Sequence, residues 1–129
     1  MTHPSVDKFG ELIITRLRDN AIEQYDGLAQ SHWKAPALQQ LQADLASLTD
    51  EQRAIVRRSV ISAVDAGMHG FLFGLVEAHD GELGIEVFVD GENVVELSDG
   101  LHGEQFTDDG WIAKFGAYSE AGDPVDRDG

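Results

Sequence analysis

The stretch from Thr49 to Leu97 narrows the possible folds more than any other, because one long apolar helix runs directly into an acidic β-hairpin. Thr49-Asp50-Glu51-Gln52 has the T-x-x-Q spacing of a capping box, in which two side chains reciprocally satisfy backbone groups at a helix start. Apolar residues then recur at Val56, Val60, Ala63, Val64, Met68, Phe71, Leu75 and Ala78 with a helical period, until His79-Asp80-Gly81 interrupts it. Gly67, Gly70 and Gly74 share a face of this helix, and each costs it about 1 kcal/mol relative to alanine. Absent side chains let another backbone come close. A strand or helix of the same fold is therefore expected to cross there, with a subunit contact or a helix break at Gly67 as the alternatives. The G-x-x-x-G spacing of Gly70 and Gly74 is a membrane-dimer motif only inside a long apolar span, and no apolar run here approaches the ~20 residues that spanning requires.

Residues 83–97 alternate with period two around Asp90-Gly91, a strong hairpin signal. A two-residue loop would pair Val89 with Glu92 and mix apolar with charged residues on each face, so an odd-length loop is expected instead. That register places Ile85, Val87, Val89, Val95 and Leu97 on a core face, and Glu86, Phe88, Val94 and Glu96 on the other. The second face, with Asp90 and Glu92 at its tip, is an acidic rim around an apolar centre, which suits a basic protein surface better than a small substrate.

Charge is distributed unevenly along the chain. Of the net −15, residues 1–64 carry 8 acidic and 7 basic side chains, net −1, whereas residues 65–129 carry 16 acidic and 2 basic, net −14. Such a half repels phosphates and anionic headgroups, so neither nucleic acid nor membrane is an expected partner, and a basic protein is. Solubility or a salt-rich habitat would account for the same acidity without a partner. Arg53, Arg57 and Arg58 form the main basic cluster, placed near a helix N-terminus where the macrodipole disfavours them. They are expected to pair with carboxylates of the same molecule, or else with the acidic half of a second copy.

Ahead of the long helix, Ser5 is an expected N-cap for a helix marked by Val6, Phe9, Ile13, Leu17, Ala21 and Leu28, with Glu11, Arg18, Asp19 and Glu23 as its solvated side. Pro36 suits the first turn of a short second helix whose Leu38, Leu41, Leu45 and Leu48 form a core stripe. Beyond the hairpin, residues 98–110 lack a period and gather Asp99, His102, Glu104, Asp108 and Asp109, an oxygen-rich set suited to a hard cation though not at EF-hand spacing. Residues 111–118 read as a third strand, and residues 119–129 as a flexible acidic tail.

Cysteine is absent, which removes disulfides, thiolate nucleophiles and cysteine-based metal sites. No G-x-S-x-G, S-x-x-K, G-x-G-x-x-G, G-x-x-x-x-G-K or H-E-x-x-H occurs, so no catalytic residue and no cofactor are nominated. No basic n-region precedes an apolar h-region, and a cytoplasmic location is expected.

The sequence thus implies one α+β domain over 1–118, with two or three N-terminal helices on one face of a three-stranded antiparallel meander. Its expected role is non-enzymatic: engagement of a basic protein in the manner of an immunity protein or inhibitor. The binding residues would be Glu86, Phe88, Asp90, Glu92, Val94, Glu96, Asp99, His102 and Glu104. Two alternatives stand beside it. One is a small-ligand or divalent-cation site in the 98–110 loop, with Asp99, His102, Asp108 and Asp109 as ligands. The other is a homo-oligomeric structural protein.

Overall fold

The computed structural model describes residues 3–127. The chain is mostly helical (64%), and its longer helices precede one small antiparallel sheet of two strands. In order, α1 (Pro4–Ile13), a π-helical turn (Ile14–Arg18) and α2 (Asp19–Ala29) form a continuous rod; α3 (Gln39–Ala46) and α4 (Asp50–Asp80) follow. β1 (Phe88–Val89), β2 (Glu92–Asn93), α5 (Val94–Leu97) and α6 (Trp111–Phe115) complete the chain.

α4 starts where the capping box places it: the Thr49 N–H donates to Gln52 Oε1 at 2.9 Å and the Gln52 N–H to Thr49 Oγ1 at 3.1 Å. At 31 residues it is about 46 Å long and joins two cores. Its N-terminal half flanks a small cluster built on Tyr25, Leu28 and Leu45, to which Val56 and Val60 contribute. Its C-terminal half supplies Met68, Leu72 and Leu75 to a larger one with Val6, Ile14, Val94, Leu101, Trp111 and Ile112. Gly10 of α1 makes the larger core possible, because a Cβ there would lie 2.2 Å from the Trp111 ring. Against the expectation that no apolar run approaches a spanning length, one stretch of α4 is, by length and mean hydropathy (1.5), apolar enough to cross a membrane, and 22% of it is buried.

Several expectations change. Asp90 and Gly91 form a two-residue loop with φ of 52° and 79°, pairing Val89 with Glu92 and Phe88 with Asn93. The parity argument against that loop assumed a strand running to Leu97. The strand in fact ends at Asn93, whose Oδ1 accepts from the Val95 and Glu96 N–H groups and caps α5. Val94 is consequently 0% exposed instead of lying on the outer face, while Ile85 is 47% exposed.

The expected third strand is the helix α6, since Trp111, Ile112 and Phe115 share a helical side and Gly110 and Gly116 flank it. The three-stranded meander is therefore absent. His3, not Ser5, caps α1, its Nδ1 accepting from the Ser5 N–H at 3.3 Å. In α3, Leu45 is buried but Leu41 is exposed, and Gln42 takes its place inside, clamping the Trp33 N–H and carbonyl at 2.9 and 3.0 Å. Among the described residues nothing crosses α4 at its glycines: an added Cβ at Gly67, Gly70 or Gly74 meets no atom within 4 Å.

Residues 119–127, read as a tail, are tied down. Arg18, 0% exposed, donates to the carbonyls of Tyr118, Ser119 and Glu120 and pairs with Asp65 at 2.7 Å. Arg57 donates to the Gly122 carbonyl at 2.8 Å, and Arg127 to that of Gly116 at 2.8 Å. The remainder of the expected tail, residues 128 and 129, lies outside the described residues.

Candidate functional site

The acidic surface is built on the end of α4 and the hairpin. His79, the penultimate residue of α4 and half-buried, has Glu86 Oε1 2.8 Å from its Nδ1 and Glu96 Oε1 3.6 Å from its Nε2. One imidazole thus brings together two carboxylates ten residues apart, from the segment before β1 and from α5. Phe88, on β1, is 59% exposed.

At the other edge the hairpin is fastened to α1. Lys8 Nζ lies 2.5 Å from Asp90 Oδ2, and the hydrogen-bonded carboxylate holds the ammonium above its ordinary value. Glu92 accepts from Ser5 Oγ at 2.9 Å and lies 3.3 Å from His3 Nε2. Asp90 and Glu92 therefore have local partners that hold the hairpin to the rod. Glu77, Asp80, Glu82, Asp99 and Asp108 have no basic partner among the described residues. On α4, Arg53 pairs with Asp50 and caps the carbonyls of α3, and Arg57 pairs with Asp26 at 2.7 Å. The expected intramolecular pairing holds for those two arginines, and Arg58 makes no such contact among the described residues.

Asp99, His102 and Glu104 line an open cleft of about 360 Å³ between the start of α1 and the 97–104 loop. Ser98 Oγ donates to Glu104 Oε2 at 3.0 Å and accepts from the Gly100 N–H, which fixes the loop's turn. The His102 ring packs edge-on against Phe73 and His69 of α4, with centroids 5.0 and 5.4 Å apart, and its Nδ1 is buried without a hydrogen-bond partner.

Asp108 lines a different cleft, beside α6, and Asp109 accepts from Thr107 Oγ1. Asp108 and Asp109 therefore lie apart from Asp99 and His102, and no group of three or more histidine or carboxylate side chains among the described residues is placed to hold a metal ion.

Two contributors went unread in the sequence. His79 enters the sequence reading only as part of the break that ends the long helix, although its position there, seven residues before Glu86, puts a carboxylate within reach. Arg18 was assigned to the solvated side, yet it lies on the i, i+4 track between Ile14 and Ile22, both 0% exposed.

No known protein family, curated protein or solved structure matches the chain.

Proposed function

We propose that this is a non-enzymatic binding protein whose acidic C-terminal half engages a basic protein surface. The observation that carries the reading is the grouping of Glu86 and Glu96 on His79, near carboxylates without basic partners. A protein that needed its carboxylates only for hydration would gain nothing from bringing like charges together. Within a protein–protein contact the same grouping presents a concentrated negative potential, which speeds encounter with a cationic partner and selects against an anionic one. Exposed Phe88 supplies an apolar anchor beside it.

Immobilised protein and a Glu86→Gln/Glu96→Gln/Asp99→Asn variant, incubated with the same cell lysate, test this. Glu92 is left intact because it holds α1. A basic protein retained by the wild type, released by salt and at least tenfold depleted on the variant is the expected outcome. Equal retention on both would refute the acidic docking surface.

A further inference from the structure

Leu83 is the most exposed large apolar side chain among the described residues, at 69%, and it does not stand alone. With Ile85 and Phe71 it walls an open groove of about 220 Å³ whose floor is Leu75 and Ala78 of α4. Gly74 keeps the helix side open, since a Cβ there would meet nothing within 4 Å. No side chain lining the groove can hydrogen-bond a polar ligand. Its volume is below the roughly 300 Å³ at which small-molecule sites begin. It exceeds the roughly 150 Å³ of an apolar cavity that takes a benzene ring, so one large apolar side chain fits.

Polarity begins at the rim, and there it has one sign. Glu77 follows Gly74 by three residues and so lies beside it on the helix surface, while Glu82 and Glu86 bracket Leu83 and Ile85. Glu77 and Glu82 are exposed and have no basic partner among the described residues, and Glu86 meets the His79 imidazole. From Ser59 to Ala113 the chain contains no Lys or Arg. The end of α4 has the same sign. Gly81 leaves the helix in an extended conformation, and among the described residues no later backbone N–H donates to the carbonyls of the last turn. The negative end of a 31-residue helix is therefore uncapped at Ala78, beside the groove.

The outer wall also has main-chain groups to spare. Among the described residues, no backbone N–H or C=O of residues 82–86 bonds to other backbone; pairing resumes where the Val94 N–H donates to the Val87 carbonyl at 3.1 Å.

Resting on the reading of the acidic half as a docking surface for basic proteins, we infer that this groove receives an extended cationic segment of the partner, seating one large apolar side chain with Lys or Arg on either side of it. The pit takes the side chain, the rim and the helix end take the charges, and the unpaired backbone of 82–86 takes N–H and C=O groups of the segment. An acyl chain would fill the same pit, but the carboxylates around it repel an anionic headgroup.

The test is a titration of the nitrogen-15-labelled full chain with an acetylated, amidated peptide, Lys-Ser-Lys-Ser-Phe-Ser-Lys-Ser-Lys, up to about 1 mM at low salt. Its alternation puts Phe and the lysines on one face when extended. Amide shifts centred on Gly74, Ala78, Leu83 and Ile85 are expected. Exchanging the peptide's Phe for Ala, or its lysines for Glu, should each weaken binding at least tenfold. Gly74→Leu fills the pit from the helix side and should weaken it as much. That position is open and leucine is the better helix former, so the variant should melt no lower than the wild type, and lost binding is not lost folding. Glu77→Gln/Glu82→Gln should weaken binding about threefold and reduce its salt dependence.

A peptide that causes no shifts, or that binds Gly74→Leu unchanged, overturns the groove. Shifts confined to Phe88, Glu96 and Asp99 overturn it too, yet leave the acidic docking surface standing. So does a basic protein captured from lysate that depends on Glu86, Glu96 and Asp99 but ignores Gly74→Leu. A Glu-bearing peptide that binds as tightly as the Lys-bearing one would overturn both.

Discussion

Residues 79–99 and 116–127 are both glycine-bearing, carboxylate-rich and almost without basic side chains, yet the molecule treats them in opposite ways. The later segment has its backbone carbonyls gathered by Arg18, Arg57 and Arg127, and the Ala117 N–H donates to both Asp19 carboxylate oxygens at 3.1 and 3.0 Å. The earlier one meets Lys8 and the imidazoles of His3 and His79, and leaves Glu82 and Asp99 without cations among the described residues. Composition does not distinguish the two. The difference lies in where the few arginines stand: a guanidinium offers five donors in a fixed planar fork, against three on a lysine and one on a neutral imidazole, and so gathers several carbonyls and a carboxylate at once.

Removing the central arginine should produce the largest change. Arg18→Ala leaves Asp65 without its partner and three carbonyls without a donor, and a loss of about 3–5 kcal/mol in urea unfolding is expected. A loss below about 1 kcal/mol would mean that the later segment needs no arginine, and the contrast would collapse.

A smaller effect follows from Asp19. Burial raises its pKa above the ordinary 3.8, against the opposing pull of the Ala117 hydrogen bond and of the Arg18 and Arg127 charges. A carboxyl whose pKa is raised by folding favours the native state when protonated, so its contribution is complete below 3.8 and is lost as pH rises through the raised value. Asp19→Asn should therefore be more stable than the wild type at neutral pH, with an advantage that fades as the solution is acidified. Paired thermal melts across that range would check it, and a variant less stable at neutral pH would show that the charge on Asp19 holds the segment.

The acidic surface should respond least. Glu86→Gln/Glu96→Gln is expected to shift stability by no more than about 0.5 kcal/mol, because exposed groups away from tight packing contribute little. A drop of more than about 1 kcal/mol in the same urea assay would make these carboxylates structural and remove the contrast from the other side.

What the sequence disclosed was local. The capping box at Thr49 and Gln52 spans four residues and needs nothing from the rest of the chain, so the start of α4 was readable. So was the turn at Asp90-Gly91. Its register was not, because parity along a strand is informative only while the strand continues, and Asn93 ends it by capping α5. Residues 111–118 were misread for a related reason: over five residues, Trp111 to Phe115 fit a short buried helix as well as a strand, and contact with Gly10 decides between them.

At the acidic surface the excess of charge could be counted, but not which carboxylates keep a partner. That depends on Lys8 and His3 approaching from more than eighty residues away. The role of Arg18 was equally long-range, although its place between Ile14 and Ile22 was a usable signal.

The chain's two tryptophans fall one to each core. Trp111 is fully enclosed, edge-on to Phe9 at 6.2 Å, whereas Trp33 is half-buried beside the smaller cluster, its indole N–H donating to the Gln24 carbonyl at 3.2 Å. The two therefore emit from surroundings of different polarity, and a Trp33→Phe chain would fluoresce from the C-terminal core alone. Comparing its emission with that of the intact chain during unfolding would separate one cooperative transition from two without any attached label.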